Sequence, residues 1–293
     1  MVLAAADGAG VSGRSPAAAE THPLPGPVRF ARYAYPPNAL GYCGPDDAAE
    51  LFGLASVGRD RRGLAALAAR FDGAWPYLEL IAAANAIPDP LDERVVEAYW
   101  LGNALLARVS PGMLLASMRD RFGARAGRDL AHLESSVALG AGPNHSFHVF
   151  GVYPWVGLLR GGRHHDQVGA TGRPERRQGA ALAVLDGCRI RWGSVVAADG
   201  ECLTVQSRRL EFDGHRLTLG VSRIEVVQRG LDGLTMLADV QPGDVVSLHW
   251  DWACEQLTAR QLAALRAYTA RTLRAVNAAP VPGPAEACNR LGG

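Results

Sequence analysis

No sign of charge dominates this chain. It carries 30 basic and 29 acidic residues in 293, a formal net charge of +1. No global field therefore draws it to nucleic acid or an acidic membrane surface. Cysteine is scarce: Cys43, Cys188, Cys202, Cys254 and Cys288 are scattered and odd in number. Such spacing does not describe a disulfide scaffold. There is no C-x-x-C, so a closed structural zinc site is not expected. No apolar run reaches the roughly 18 residues of a membrane-span candidate. The Ala/Gly-rich start lacks a basic stretch followed by a sustained apolar core, so no signal peptide is expected. Gly-rich phosphate loops, dinucleotide fingerprints and internal repeats are also missing, which gives nucleotide chemistry no support. These absences predict a soluble, cytoplasmic, reduced protein.

What is present falls into an α+β plan of two domains. Residues 1–28, rich in Ala, Gly, Ser and Pro, read as a disordered arm. Residues 29–160 read as a mainly helical domain. Asp46-Asp47 precedes helix formers from Ala48. Leu64, Leu67 and Phe71 follow amphipathic spacing, Asp92-Glu93 opens a further helix, and Pro111 begins another. The aromatic and β-branched segment from Pro143 to Trp155 reads as extended. A polar, Gly/Pro-punctuated linker is expected over 161–179, with His164-His165-Asp166 as a solvated run.

From residue 180 to 277 the period changes. Ile190, Trp192, Leu203, Val205, Leu210, Phe212, Leu217 and Leu219 alternate with polar residues, as in half-buried strands. Asp199-Gly200 and Asp213-Gly214 are hairpin-turn dipeptides. A small antiparallel β-barrel, OB-like, accounts for strands at this spacing. Thr258-x-x-Gln261 is a capping box for a trailing helix. Pro280, Pro282 and Pro284 would end that helix, leaving 278–293 as a frayed tail.

Two sets of residues suggest chemistry. A cysteine before a helix N-terminus, Cys43, would have a lowered pKa, and His148 would serve as its base in a cysteine hydrolase or acyltransferase. Cys43, His145 and His148 as metal ligands is the variant of that reading. An extended segment, however, would turn the two histidines to opposite faces.

The second set lies in the barrel. Cys188, followed by Gly193 and Val195-Val196, begins it, and Pro242-Gly243-Asp244-Val245-Val246-Ser247-Leu248-His249 reads as its last strand. On these residues the region from about 185 to 275 resembles the HypC/HupF hydrogenase-maturation chaperones. The resemblance implies an accessory factor in nickel–iron hydrogenase assembly rather than an enzyme. Its cargo would be iron bearing cyanide and carbon monoxide. Its partners would be a hydrogenase large-subunit precursor and a maturation scaffold protein. Carried over, Cys188 contacts the iron and His249 supports it; a thiolate and an imidazole both suit such a metal. The family's cysteine sits next to the initiator methionine, whereas Cys188 is internal and has no free amino terminus beside it. A metal-free protein-interaction module is the third reading.

Overall fold

The computed structural model describes residues 24–57, 61–122, 134, 137, 140, 142–153, 155–161 and 173–278. The chain opens on α1 (Gly26–Ala39), a helix buried on nearly every side. Its apolar residues Val28, Phe30, Ala31, Tyr33, Ala34 and Tyr35 do not form a single stripe, and a helix apolar all round has to lie inside. Gly26 is required where the helix starts: a Cβ there would stand 1.7 Å from the Leu91 carbonyl oxygen. Pro36 and Pro37 occupy the last turns, where they remove two backbone donors. The chain then leaves the helix through bonds from the Gly41 and Tyr42 N–H groups to the Asn38 and Pro37 carbonyls.

Around α1 gather α2 (Ala48–Val57), α3 (Arg61–Ala68), α4 (Trp75–Ala84) and α5 (Glu93–Trp100). Asp92 caps α5 by accepting from the Arg94 N–H, as the sequence leads one to expect. Leu64, Leu67 and Phe71 are all buried. A 3₁₀ turn (Ala104–Arg108) and α6 (Pro111–Phe122) follow.

Four local expectations are corrected. The 143–155 region is not extended. Asn144 caps a short helix, α7 (His145–Phe147), by accepting from the Phe147 N–H, and α7 runs on into a π-helical turn (His148–Val152). The local cap outweighs the β-prone composition. The expected linker over 161–179 is cut short, because after α8 (Trp155–Gly161) the helix α9 runs Arg173–Cys188. Its Ala181, Leu185 and Cys188 pack with Val156 and Leu159 in one cluster. His164-His165-Asp166 lie outside the described residues, as do 1–23, Cys288 and the tail from 279. The expected boundary at residue 28 is corrected, since α1 is already helical at Gly26. Finally, Cys188 ends a helix and does not sit on a strand; β1 begins at Arg191.

The sheet comprises β1 (Arg191–Asp199), β2 (Cys202–Phe212), β3 (Leu217–Gln228), β6 (Val245–His249) and β7 (Trp252–Gln256). A two-stranded ribbon of β4 (Gly230–Leu231) and β5 (Leu234–Thr235) stands apart. The order is β1-β2-β3-β7-β6, and β6 pairs back onto β1 with Gly193 opposite Val246, so the sheet closes. Gly200 and Gly214 take positive φ at the two hairpin turns read from sequence. His249 ends the penultimate strand of this sheet rather than the last, because β7 returns antiparallel to β6. The interior is filled by Val195, Leu203, Val205, Val227, Val246 and Leu248. Last comes α10 (Ala259–Ala278), opened by the capping box: Thr258 Oγ1 accepts from the Gln261 N–H, and Gln261 Oε1 accepts from the Thr258 N–H.

The helices and the sheet share one core. Phe30, Tyr33 and Trp100 from the helices join Ile190, Met236, Cys254 and Leu265 from the C-terminal part. Polar groups reinforce this seam. Arg29 is 2% exposed. It grips Glu255 on β7 in two bonds, Nε to Oε2 at 2.9 Å and Nη2 to Oε1 at 2.8 Å. Tyr33 Oη reaches Ser247 Oγ at 2.7 Å and Glu255 at 3.2 Å, and Gln261 Nε2 donates to both Glu97 and Glu255. Among the described residues no helix is long and apolar enough to cross a membrane.

Removing one member of the Arg29–Glu255 pair leaves a buried charge without its partner. Glu255→Ala is expected to cost about 3–5 kcal/mol in denaturant unfolding. The double replacement Arg29→Met with Glu255→Leu should cost much less than the sum of the single changes. Additive losses would show that the two side chains do not act as a pair.

Candidate metal centre

Three distant segments meet at the ends of α7, α9 and β6. Asn144 fixes the first turn of α7 and with it His145. Cys188 is the last residue of α9. His249 is the last residue of β6, after which Trp250 takes a φ of 52° to turn the chain into β7. The Trp250 N–H donates to the Gly187 carbonyl at 2.7 Å, and Arg191 Nη2 donates to the Trp250 carbonyl at 2.6 Å. The first bond fastens the β6–β7 turn to the end of α9, which brings His249 to Cys188, and the second ties the turn to β1. Gly187 is needed here, since a Cβ would stand 2.7 Å from the Trp250 ring.

One ligand atom from each of His145, Cys188 and His249 lies within 4.8 Å of the other two, and all three residues are buried. His249 Nδ1 lies 2.6 Å from the Tyr33 carbonyl oxygen. A carbonyl only accepts, so Nδ1 carries the proton and Nε2 holds the bare lone pair. That Nε2 has no hydrogen-bond partner, on a residue that is 0% exposed. His145 Nε2 donates to the Cys188 carbonyl at 2.8 Å, and its Nδ1 stands 3.4 Å from the Tyr99 hydroxyl. The two imidazole rings are 5.2 Å apart, with the Trp100 ring 4.6 Å from His145 and 5.8 Å from His249.

Burial holds the whole group neutral. It drives His145 down to about 4, against the opposing bond to the Cys188 carbonyl. Burial, and then the neighbouring His145, push His249 well below the usual histidine range. Burial pushes the Cys188 thiol up to about 12; a charge on Cys43 would raise it further, while the Trp250 indole weakly favours the thiolate. Trp250 leans outward, stacking on the exposed Tyr42 at 4.6 Å. Neutral imidazoles with a usable lone pair are what a metal requires, and a thiol needs only to lose its proton to the solvent as the metal binds.

The structure brings Cys188 and His249 together. It adds His145, which the sequence reading had placed with Cys43 and His148. No spacing in the chain signals this convergence, because each ligand comes from a different element. His145 and His148 do diverge. His148 approaches the Tyr77 hydroxyl at 3.4 Å and packs its ring on Tyr153 at 4.6 Å. Cys43 is not at a helix N-terminus, since α2 begins at Ala48. It sits in a loop held by Asn38, whose amide donates to the Cys43 and Pro45 carbonyls at 2.8 and 2.6 Å. Burial pushes its thiol up to about 12, opposite to the activation expected from sequence. The loop nevertheless lies close to the cluster: Tyr42 stacks on Trp250, whose N–H is bonded to the Gly187 carbonyl next to Cys188.

Alkylation of the native protein near neutral pH is accordingly expected to spare Cys43, Cys188 and Cys254 until the chain unfolds, with Cys202 reacting first among the described cysteines. Peptide mass spectrometry after a short iodoacetamide pulse reads the order. Rapid modification of Cys43 would restore the picture of an activated nucleophile.

Comparison with curated proteins and with solved structures finds no match. Residues 22–282 match a family described as a family of unknown function, DUF6390, a span that contains α1 through α10, the closed sheet and all three residues of the cluster. The chain belongs to that family.

Proposed function

We propose that this chain is a cytoplasmic accessory factor for nickel–iron hydrogenase maturation. Its closed five-stranded sheet acts as an OB-like barrel of the HypC/HupF kind. It carries iron with cyanide and carbon monoxide ligands, or escorts the large-subunit precursor, in concert with a maturation scaffold protein. The observation that carries the reading is the meeting of Cys188 with the unpartnered Nε2 of His249, the two residues that correspond to the family's cysteine and histidine.

The chemistry suits such a cargo. Cys188 supplies a soft thiolate once its proton is released, and His249 supplies an imidazole whose tautomer the Tyr33 carbonyl has already set. Cys188 is buried in the same apolar cluster as Leu185, Val149 and Phe150, which keeps water from the sulfur. The Trp250–Tyr42 stack beside the thiol gives a partner protein an aromatic surface to displace when cargo changes hands.

Anaerobic affinity purification from the source organism, followed by infrared spectroscopy and mass spectrometry, tests the assignment. Cyanide and carbon monoxide stretching bands are expected, together with a hydrogenase large subunit or scaffold protein, and Cys188→Ala should abolish the bands. A Cys188→Ala protein that still supports hydrogenase maturation would overturn the reading, as would a native preparation with neither bands nor partners.

A further inference from the structure

We propose that His145 is a third metal ligand, so that Cys188, His249 and His145 form a two-imidazole, one-thiolate cup for a borderline divalent transition-metal ion, with a coordination position left open. The inference adds a ligand to the site assigned above. It is tested on the purified chain with a simple ion, so it stands or falls apart from the hydrogenase reading.

Among the described residues this is the only group of three His, Cys, Asp or Glu side chains positioned to hold a metal. All three are buried, so their convergence is not the chance crowding of charged groups on a surface. Donors bound 2.0–2.3 Å from one ion stand roughly 3.3–3.8 Å apart, and small side-chain rotations cover the distance from the observed 4.8 Å limit.

The second observation is the orphaned Nε2 of His249. A buried acceptor with no partner is costly to keep, and nearly all such groups are satisfied in folded proteins. A metal ion at the centre of the three donors satisfies it. With Nε2 donating to the Cys188 carbonyl, the free lone pair of His145 is on Nδ1; ligation through Nε2 instead breaks that bond and moves the ring proton to Nδ1, where the Tyr99 hydroxyl can accept it.

The donor set defines the ligand class. No carboxylate belongs to the cluster, which disfavours calcium and magnesium. Two imidazoles and a thiolate suit zinc, cobalt(II) or iron(II). Three protein ligands with a fourth position open is the arrangement of a site that exchanges or presents something, whereas structural zinc sites are closed by four. Metal binding forms a metal–sulfur bond and breaks the Cys188 S–H bond, and the proton goes to the buffer.

The test is anaerobic titration of the full-length metal-free protein with cobalt(II) and zinc(II). One equivalent of cobalt is expected to bind, with a thiolate-to-cobalt charge-transfer band that disappears in Cys188→Ser. His145→Gln should weaken binding by about 100-fold, the upper end of what losing even an outer-shell partner costs. His148→Gln, altered on the same segment but facing Tyr77, should bind as the unaltered chain does. X-ray absorption of the zinc-loaded protein provides a readout independent of any variant's folding: one sulfur and two imidazoles are expected. Finding only one imidazole, wild-type affinity in a folded His145→Gln protein, or no binding of either ion would overturn the proposal. None of these results bears on whether infrared bands appear in protein from the source organism.

Discussion

The ion pair between Arg29 and Glu255 is the interaction on which the arrangement depends. It joins the first described helix to the last strand of the sheet, deep in the shared core. A guanidinium at 2% exposure is tolerable only with its charge matched, and the bidentate grip of Glu255 supplies the match while Glu93 offers a carbonyl to Nη1. The direction of this contact fixes the rotation of α1. One turn further along, Tyr33 must then face β6, where its hydroxyl meets Ser247 and its carbonyl meets His249. The same docking that buries the charge therefore sets the tautomer of the histidine.

A second charged network holds the other side of the site. Asp186, just before Cys188, binds Arg189 at 2.9 Å and accepts from the Leu210 N–H at 2.8 Å. Arg189, whose pKa burial lowers to about 10 against the pull of Asp186, also donates to the Arg208 carbonyl. Arg191 enters the sheet at 0% exposure, paired with Glu225, and reaches across to the Trp250 carbonyl. Cys188 is thus bracketed by residues tied to β2, β3 and the β6–β7 turn. The last turn of α9 has little freedom to move, which is the preorganisation a metal ligand needs.

Much of the fold was legible because it rests on local chemistry. Asp92, the Thr258–Gln261 box and the two Asp-Gly turns act within a few residues, and each is found where the sequence indicated. The alternating apolar residues of β2 face inward because a strand's period is fixed by its backbone. What was not legible depends on partners distant in sequence. Pro36 and Pro37 disguise the end of α1, and only tertiary burial keeps that helix intact. The aromatic segment around Phe147 has strand-like composition, yet the Asn144 cap and burial against the core make it helical. Arg29, Arg189 and Arg191 look like surface arginines until their carboxylate partners are known.

The site was half legible for the same reason. Cys188 and His249 are flanked by sequence patterns, whereas His145 has none, since its role depends on where a short capped helix comes to rest. His145 and His148 diverge where the short helix passes into the π-helical turn, His145 meeting the Cys188 carbonyl and His148 the Tyr77 hydroxyl. A helical N-terminal region is then more than an appendage to the sheet. It sets the tautomer of His249 through Tyr33, lays Trp100 against both imidazoles and brings His145 to the thiol. The sheet with α9 alone would keep Cys188 and His249 and lack the third donor.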